Sequence, residues 1–293
     1  MLASGGFEWN DELKARFLPG EITHPLSPPH NTGDGLKMAM AVGADLGNMC
    51  ENWGFPSLFA PGVEYDGRPM NQCCYAERSL PHSIIVNKKG KRFVNEAANY
   101  NDMSKPFWIL DPNTCAYANL PAWLILDQQY FNSFACMMIM PGDPVPEYVE
   151  RADTLEGLAA NLGIDSEGLA ATVENFNEHA LKGVDPDFDR GKSAYDNCYG
   201  DPNHKPNPNL GTIEKAPFYA LPVYCGSIGT KGGPVTNANA QVIHVSGEPI
   251  PGLYAAGNVA AGVSGPSYWG GGGTIGPAMV FGYLAGRHAA TGK

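Results

Sequence analysis

Apolar residues recur at helical spacing in two stretches of the middle of the chain. Leu169, Val173, Phe176 and Ala180 mark one stripe of an amphipathic helix over Glu167 to Lys182, and Leu155 to Leu162 predicts a shorter helix before it. Asp11 to Phe17 predicts a short helix, and Gly35 to Asn48 a longer one with Asp34 near its N-terminus as a cap or dipole partner. Ile84 to Asn87 and Arg92 to Asn95 flank Lys88-Lys89-Gly90-Lys91, which predicts a hairpin with a glycine turn. Phe218 to Cys225 reads as a further strand. Ile250 to Asn258, an apolar run closed by Gly-Asn, reads as a buried strand ending in a turn that leaves room for a ligand. Between Gly183 and Leu210 repeated Asp-Pro and Asn-Pro turns predict a long loop, of the kind that covers a site as a lid or else is mobile.

Composition sets the limits. At 293 residues with 43% hydrophobic content, the chain can bury one large core or two modest ones, and its 36 glycines and 25 prolines indicate ordered loops rather than a helical bundle. A formal net charge of -11 argues against nucleic acid or an anionic membrane as partner. No apolar run has the length of a transmembrane helix and no signal segment opens the chain, so the expected location is cytoplasmic. The seven cysteines form no Cys-x-x-Cys, and neither His24 nor His30 has cysteine partners at metal spacing, so no metal site or disulfide framework is expected. The adjacent pair Cys73-Cys74 is more often incidental than redox-active.

Chemistry is concentrated near the C-terminus. Gly270 to Gly273 are consecutive glycines placed directly before a helix that begins at Thr274 or Ile275, with Pro277 where a first-turn proline is tolerated. A backbone without Cβ atoms lets a flat ring lie against it, and the helix start offers N–H groups and a positive dipole end to negative charge. A flavin is one ligand that fits, since its reduced ring holds negative charge near N1. A solvent-exposed glycine hinge fits this segment equally well.

Four ordered segments resemble one family. Ser4-Gly5-Gly6-Phe7, Asn31-Thr32-Gly33-Asp34-Gly35, Ile84 to Glu96 and Gly252 to Ala289 are similar to the flavoprotein family that contains fumarate reductase and succinate dehydrogenase flavoprotein subunits and the 3-ketosteroid Δ1-dehydrogenases. The resemblance implies FAD as cofactor, held by Ser4, Gly5, Gly6, Thr32, Gly33, Asp34, Gly257, Asn258, Gly273, Thr274 and Ile275. It implies a fold that is α/β plus α+β: an incomplete FAD-binding doubly wound domain over residues 1–60 and 230–293, with an inserted α+β substrate cap domain over residues 61–229. No Gly-x-Gly-x-x-Gly with a following acidic residue is present. The family carries that unit in its N-terminal portion. The chain is therefore expected to be the C-terminal part of a larger flavoprotein: a truncated gene model, a degenerate copy, or one half of a split enzyme whose N-terminal half is a separate chain.

Within the family, the dicarboxylate enzymes need arginines for bidentate carboxylate recognition. Tyr100 stands where they carry one, and Ser264 to Pro277 contains none. The ketosteroid dehydrogenases are closer, by Tyr100, by Tyr268-Trp269-Gly-Gly-Gly272-Gly-Thr-Ile-Gly-Pro277 and by Gly229-Thr-Lys-Gly-Gly233, although Trp269 departs from the small residue or proline expected there. The resemblance implies that the Tyr268 hydroxyl and the Gly272 N–H bind the 3-keto oxygen of an apolar, steroid-like ketone. Tyr100 then takes the C2 proton, and the C1 hydride passes to flavin N5. An unperturbed phenol titrates at about 10, so Tyr100 needs a neighbour that lowers its pKa or accepts its proton. The expectation is thus an FAD-dependent Δ1-desaturase of a 3-ketosteroid-like substrate. The alternatives are a fumarate reductase-like flavoprotein acting on another enoate, or a non-catalytic fragment or binding subunit. On residue type alone Tyr100 is a packing tyrosine and Asn258 a turn residue, while Trp269 and Cys136-Met-Met-Ile-Met140 are either an apolar cavity wall or core.

Overall fold

Three strands rich in aliphatic residues form the central layer of the computed structural model, which describes residues 1–292. Ser83–Asn87 and Phe218–Thr230 flank Ala122–Asp127 in antiparallel register, with Ile125 opposite both Ile84 and Ala220. Their side chains alternate. Ile85, Leu124, Leu126 and Leu221 enter one cluster with Phe107 and Tyr130, whereas Ile84, Val86, Trp123 and Ile125 face a second with Leu169, Val173 and Phe176. Both faces are covered, which is why these strands read as continuous apolar runs rather than alternating ones. The sheet has seven strands, ordered Arg68–Cys73, Asn52–Tyr65, Phe218–Thr230, Ala122–Asp127, Ser83–Asn87, with His24–Pro25 and Glu150–Ala152 also paired to Phe218–Thr230.

The chain divides into two units. One comprises Met1–Gly54, Glu64–Arg68 and the chain from Gly226 onward; the other comprises Phe55–Val63 and Pro69–Cys225. The second unit holds both large clusters. Its helix Ser166–Ala180 buries Leu169, Val173, Phe176 and Ala180, the stripe that periodicity predicts, and is capped by Asp165. The turn after the Ser83–Asn87 strand packs on the start of this helix, and Gly90 there has φ +65° and a position where a Cβ would lie 2.2 Å from the Leu169 nitrogen, so only glycine fits. The hairpin expected here stops at its turn. Val86 and Arg92 make one isolated bridge, and no second strand forms over Arg92 to Asn95.

Arg92 instead turns inward. Its guanidinium donates to Glu96 at 2.7 and 2.8 Å and to Asp185 at 2.8 and 2.9 Å, and Arg190 adds a contact to Glu96 at 3.2 Å. Burial pushes the Glu96 carboxyl up, but Arg92 and Arg190 outweigh it and hold the group below its ordinary 4.5. Asp185 is likewise held below 3.8, with Arg92 outweighing its burial. Asp185, Arg190, Asp196 and Asn209 are all buried, so the Gly183 to Leu210 segment is an ordered strap, with a short helix at Ala194–Cys198, rather than a mobile lid.

The first unit has a small core of Leu2, Ala39, Ala44, Val242, Ala255, Val259 and Ala260. Its second helix runs only over Asp34–Ala41, shorter than the expected Gly35 to Asn48: Gly43 at φ +77° ends it, and Leu46–Gly47 pairs with Gly233–Pro234 instead. Gly33 occupies the cap position, and Asp34 is the acidic residue of the first turn. Pro249–Tyr254 is a half-exposed strand paired with Gln241–Ile243, not the buried strand its apolar run predicts, because that ladder has only two strands. Parallel pairing joins His24–Pro25 to Gly226–Ser227, and a single parallel bridge joins Leu2 to Ala255. Among the described residues, Ala285 alone of the long helix Ile275–Thr291 is buried, while Ile275, Met279, Val280 and Tyr283 are exposed.

Replacing Glu96 with Gln leaves Arg92 and Arg190 without their shared carboxylate, and urea unfolding should show a loss of about 3–5 kcal/mol. A depressed carboxylate stabilises the fold above its ordinary pKa and loses that contribution as pH falls through the folded value. The melting temperature of the unaltered chain should therefore drop on acidification below about pH 4, more steeply than that of Glu96→Gln.

Candidate functional site: a glycine-lined cleft

An open cleft in the first unit is bounded by Trp53, Thr230, Lys231, the Ala255 to Asn258 turn, Gly262 to Ser264, and Gly273, Thr274 and Pro277 at the start of the long helix. It brings together four of the expected cofactor residues: Gly257, Asn258, Gly273 and Thr274. Gly257 sits at φ +79°, which glycine adopts without strain. The Asn258 amide packs over Gly229, where a Cβ would be 2.4 Å from its nitrogen. At Gly270, Gly271 and Gly272 a Cβ would meet nothing within 4 Å, so the run is open on the side where side chains would otherwise stand. The helix begins at Ile275, and Thr274 makes no side-chain cap, but Gly276 N donates to the Gly272 carbonyl at 2.8 Å and Pro277 has no N–H, so the helix start presents few donors to a ligand.

Ser4, Gly5, Gly6, Thr32, Gly33 and Asp34 form a separate group beside one another and are not among the cleft residues. Ser4 Oγ accepts from Gly35 N at 3.2 Å, and Gly33 N donates to Gly6 O at 3.1 Å. Thr32 Oγ1 donates to the Asp34 carboxylate at 3.2 Å. A Cβ on Gly5 would strike Asn31 Oδ1 at 2.4 Å, and one on Gly33 would strike Leu13. This group reaches the cleft through Thr230, whose hydroxyl accepts from Phe7 N at 3.1 Å.

Tyr268 lies edge-on to Trp53, with ring centroids 6.4 Å apart. Tyr100 belongs to the second unit. It is the buried first residue of the short helix Tyr100–Met103, not a loop-edge tyrosine, and Asn99 caps that helix. Its ring stacks on Phe55 at 4.2 Å and tilts against Tyr75 at 6.1 Å, and the Tyr75 and Tyr199 hydroxyls are hydrogen-bonded to each other. Trp269, Met138 and Met140 are exposed, so they wall no cavity in the described structure. All seven cysteines are free thiols, and among the described residues no His, Cys, Asp or Glu side chains gather into a metal site. No helix among them is long and apolar enough to cross a membrane.

Three residues that residue-by-residue reading passes over complete the cleft. Ser264 is 7% exposed and its hydroxyl has no hydrogen-bond partner, an orphaned polar atom in a wall where a buried hydroxyl ordinarily finds one. Trp53 forms the floor under Gly273, where a Cβ would lie 3.4 Å from its ring. Lys231 is 1% exposed and sits against that indole, its ammonium 4.1 Å from the ring centroid. The only sequence signal for it is the Gly229 to Gly233 motif. A flat group with hydrogen-bonding edges fits these walls: bare backbone and one unsatisfied hydroxyl suit a flavin.

Comparison with known proteins agrees with that fit. The model of the FAD binding domain family matches residues 1–275. The chain is 43% identical over 288 residues to a 4-oxocyclohexanecarboxylate 2-dehydrogenase of Sinomonas cyclohexanicum, covering 98% of this chain and 50% of that protein. It is 42% identical over 300 residues to a 3-oxosteroid 1-dehydrogenase of Mycobacterium tuberculosis, covering 99% and 52%. A solved 3-ketosteroid Δ1-dehydrogenase from Sterolibacterium denitrificans, in complex with 1,4-androstadiene-3,17-dione, superposes with a TM-score of 0.92 at 41% identity over 99% of this chain and 52% of that one. The chain thus spans about half the length of the relatives it matches.

Ser264→Ala should leave the fold intact and weaken FAD about fivefold, the worth of one hydrogen bond, in a flavin fluorescence titration. Gly233→Ala, whose Cβ would sit 1.9 Å from the Val259 carbonyl oxygen, should abolish flavin binding by displacing the cleft backbone.

Proposed function

Because the chain belongs to the FAD binding domain family, we propose that it is the substrate-binding half of an FAD-dependent dehydrogenase that desaturates a ring ketone of 3-ketosteroid type. The observation that carries this reading is the cleft: Gly257, Asn258, Gly273 and Thr274 converge on one cavity beside Tyr268. FAD, when bound, supplies the hydride acceptor. Gly257, Asn258, Ser264, Gly273, Thr274 and Ile275 hold it, with Ser4 to Gly6 and Thr32 to Asp34 supporting the same cofactor from the neighbouring turns. The Tyr268 hydroxyl and the Gly272 N–H donate to the ketone oxygen and stabilise enolate character as the neighbouring C–H is lost. Tyr100 accepts that proton. Its burial against Phe55 and Tyr75 keeps water away from the phenol, and the hydrogen-bonded Tyr75 and Tyr199 hydroxyls lie on the same aromatic cluster.

The names of the relatives share a ring ketone and differ in whether a carboxylate is attached. A carboxylate is held best by arginine, and the Ser264 to Pro277 segment has neither Arg nor Lys, which favours a neutral ketone and also disfavours a dicarboxylate such as fumarate. The remainder of the cofactor site, with the doubly wound sheet, comes from an N-terminal nucleotide-binding half. The exposed face of Ile275–Thr291 supports that: a helix so apolar and so little buried is a face meant to be covered.

The test is to combine the chain with the nucleotide-binding half of a relative, load FAD, and follow dye reduction with a 3-ketosteroid, with 4-oxocyclohexanecarboxylate and, in reverse, with fumarate. Steroid turnover is expected. Tyr100→Phe should lower kcat by about 10²–10⁴ and Tyr268→Phe by about 10², each with FAD affinity unchanged. Turnover of fumarate alone would overturn the substrate class, and a flavin-loaded assembly that binds the ketone without reducing the dye would make the chain a binding subunit.

A further inference from the structure

The Gly229-Thr-Lys-Gly-Gly233 motif meets several segments of the cleft. Gly229 receives the Asn258 amide, Thr230 accepts from Phe7 N, and Gly233 lies against the Val259 carbonyl, closer than any Cβ could come. Lys231 reaches the segment that bears Tyr268. Its ammonium donates to the carbonyl oxygens of Ser267 at 3.0 Å and Gly265 at 3.3 Å, while its own backbone N–H donates to Glu51 O and its own carbonyl accepts from Gly262 N. The ammonium also stands over Trp53, the ring that Tyr268 touches edge-on and that underlies Gly273.

We propose that Lys231 is a positioning residue for ketone recognition, clamping the Gly265 to Tyr268 turn from below and fixing the indole that Tyr268 packs on. This rests on the reading of Tyr268 as the ketone-binding hydroxyl. A lysine confined at 1% exposure has to satisfy its charge within the protein, and here two backbone carbonyls and an aromatic face do so. Both carbonyls flank Pro266, whose fixed φ leaves the turn little freedom once they are held. Without the ammonium they lose a common donor, and the turn gains room to move the Tyr268 hydroxyl away from the ketone. A displacement of that kind weakens a directional hydrogen bond while leaving apolar contacts with the rest of the ligand in place.

The experiment measures affinity of the full chain, with FAD present, for a 3-ketosteroid and for the same steroid lacking the 3-oxo group. The variants are Lys231→Met, Tyr268→Phe, the double variant and Trp53→Phe. The unaltered chain is expected to prefer the ketone about tenfold, the worth of one good hydrogen bond. Lys231→Met and Tyr268→Phe should each remove that preference and leave the deoxy ligand unaffected, and the double variant should be no worse than either. Trp53→Phe keeps the lysine contacts to the turn and should lower the preference part of the way, whereas Lys231→Gln, which also lacks the ammonium, takes the place of Lys231→Met should that variant fail to fold. If Tyr268→Phe removes the preference while Lys231→Met, or in its place Lys231→Gln, retains it, the positioning role is overturned and the Tyr268 reading stands. If the unaltered chain, or Tyr268→Phe, shows the reverse, with no preference to lose or none lost, both are overturned.

Discussion

One buried carboxylate organises the second unit. Glu96 is fully buried, accepts from Arg92 and Arg190, and also accepts from the backbone N–H of Ile85 in the Ser83–Asn87 strand at 3.1 Å. Through Arg92 it is tied to Asp185 and so to the strap that follows the Ser166–Ala180 helix. Through Arg190 it is tied to the Ser83 and Leu80 carbonyls at 2.7 and 2.9 Å. Each of these charges would be costly to bury alone, so the network holds only as a set, and it fixes the path of the chain from the sheet to Tyr100. Arg78, fully buried as well, fastens that same path by donating to the Ala98 carbonyl at 2.8 Å.

The first unit depends on a different device. Its cleft is built where neighbours approach the backbone more closely than a Cβ allows: the Asn258 amide over Gly229, the Met49 backbone at Gly232, where a Cβ would lie 2.7 Å from the Met49 Cα, and the Val259 carbonyl at Gly233. Such contacts bring little apolar area, and the core beside them is made of alanines, valines and one leucine. Their value is geometric. They hold the turns of the cleft in register without filling it, and the Lys231 ammonium and the Trp53 ring supply the few directed contacts that glycine cannot.

Much of this was legible in the residues. The stripe of Leu169, Val173, Phe176 and Ala180 lies buried on its helix, the C-terminal helix starts at Ile275, and the glycine run before it stands open, since spacing and missing side chains are local properties. Membership of the FAD binding domain family was legible too, because a family is carried by ordered motifs. Elements that failed did so for non-local reasons. The Arg92 to Asn95 strand gives way to an ion pair with Asp185, 93 positions along the chain, and the helix after Asp34 stops where Leu46–Gly47 finds its partner at Gly233–Pro234.

By itself, then, the sequence determined the kind of protein, the bare backbone of its glycine run and the helix that begins there. Tertiary structure alone decided which of those pieces meet. Gly257 and Asn258 share a cleft with Gly273 and Thr274, whereas Ser4 to Gly6 pair with Thr32 to Asp34 beside it. It alone gave Lys231 a role, because a lysine in a sequence is a solvated charge until folding buries it against Trp53 and the carbonyls of Gly265 and Ser267, residues whose distance along the chain conceals their contact.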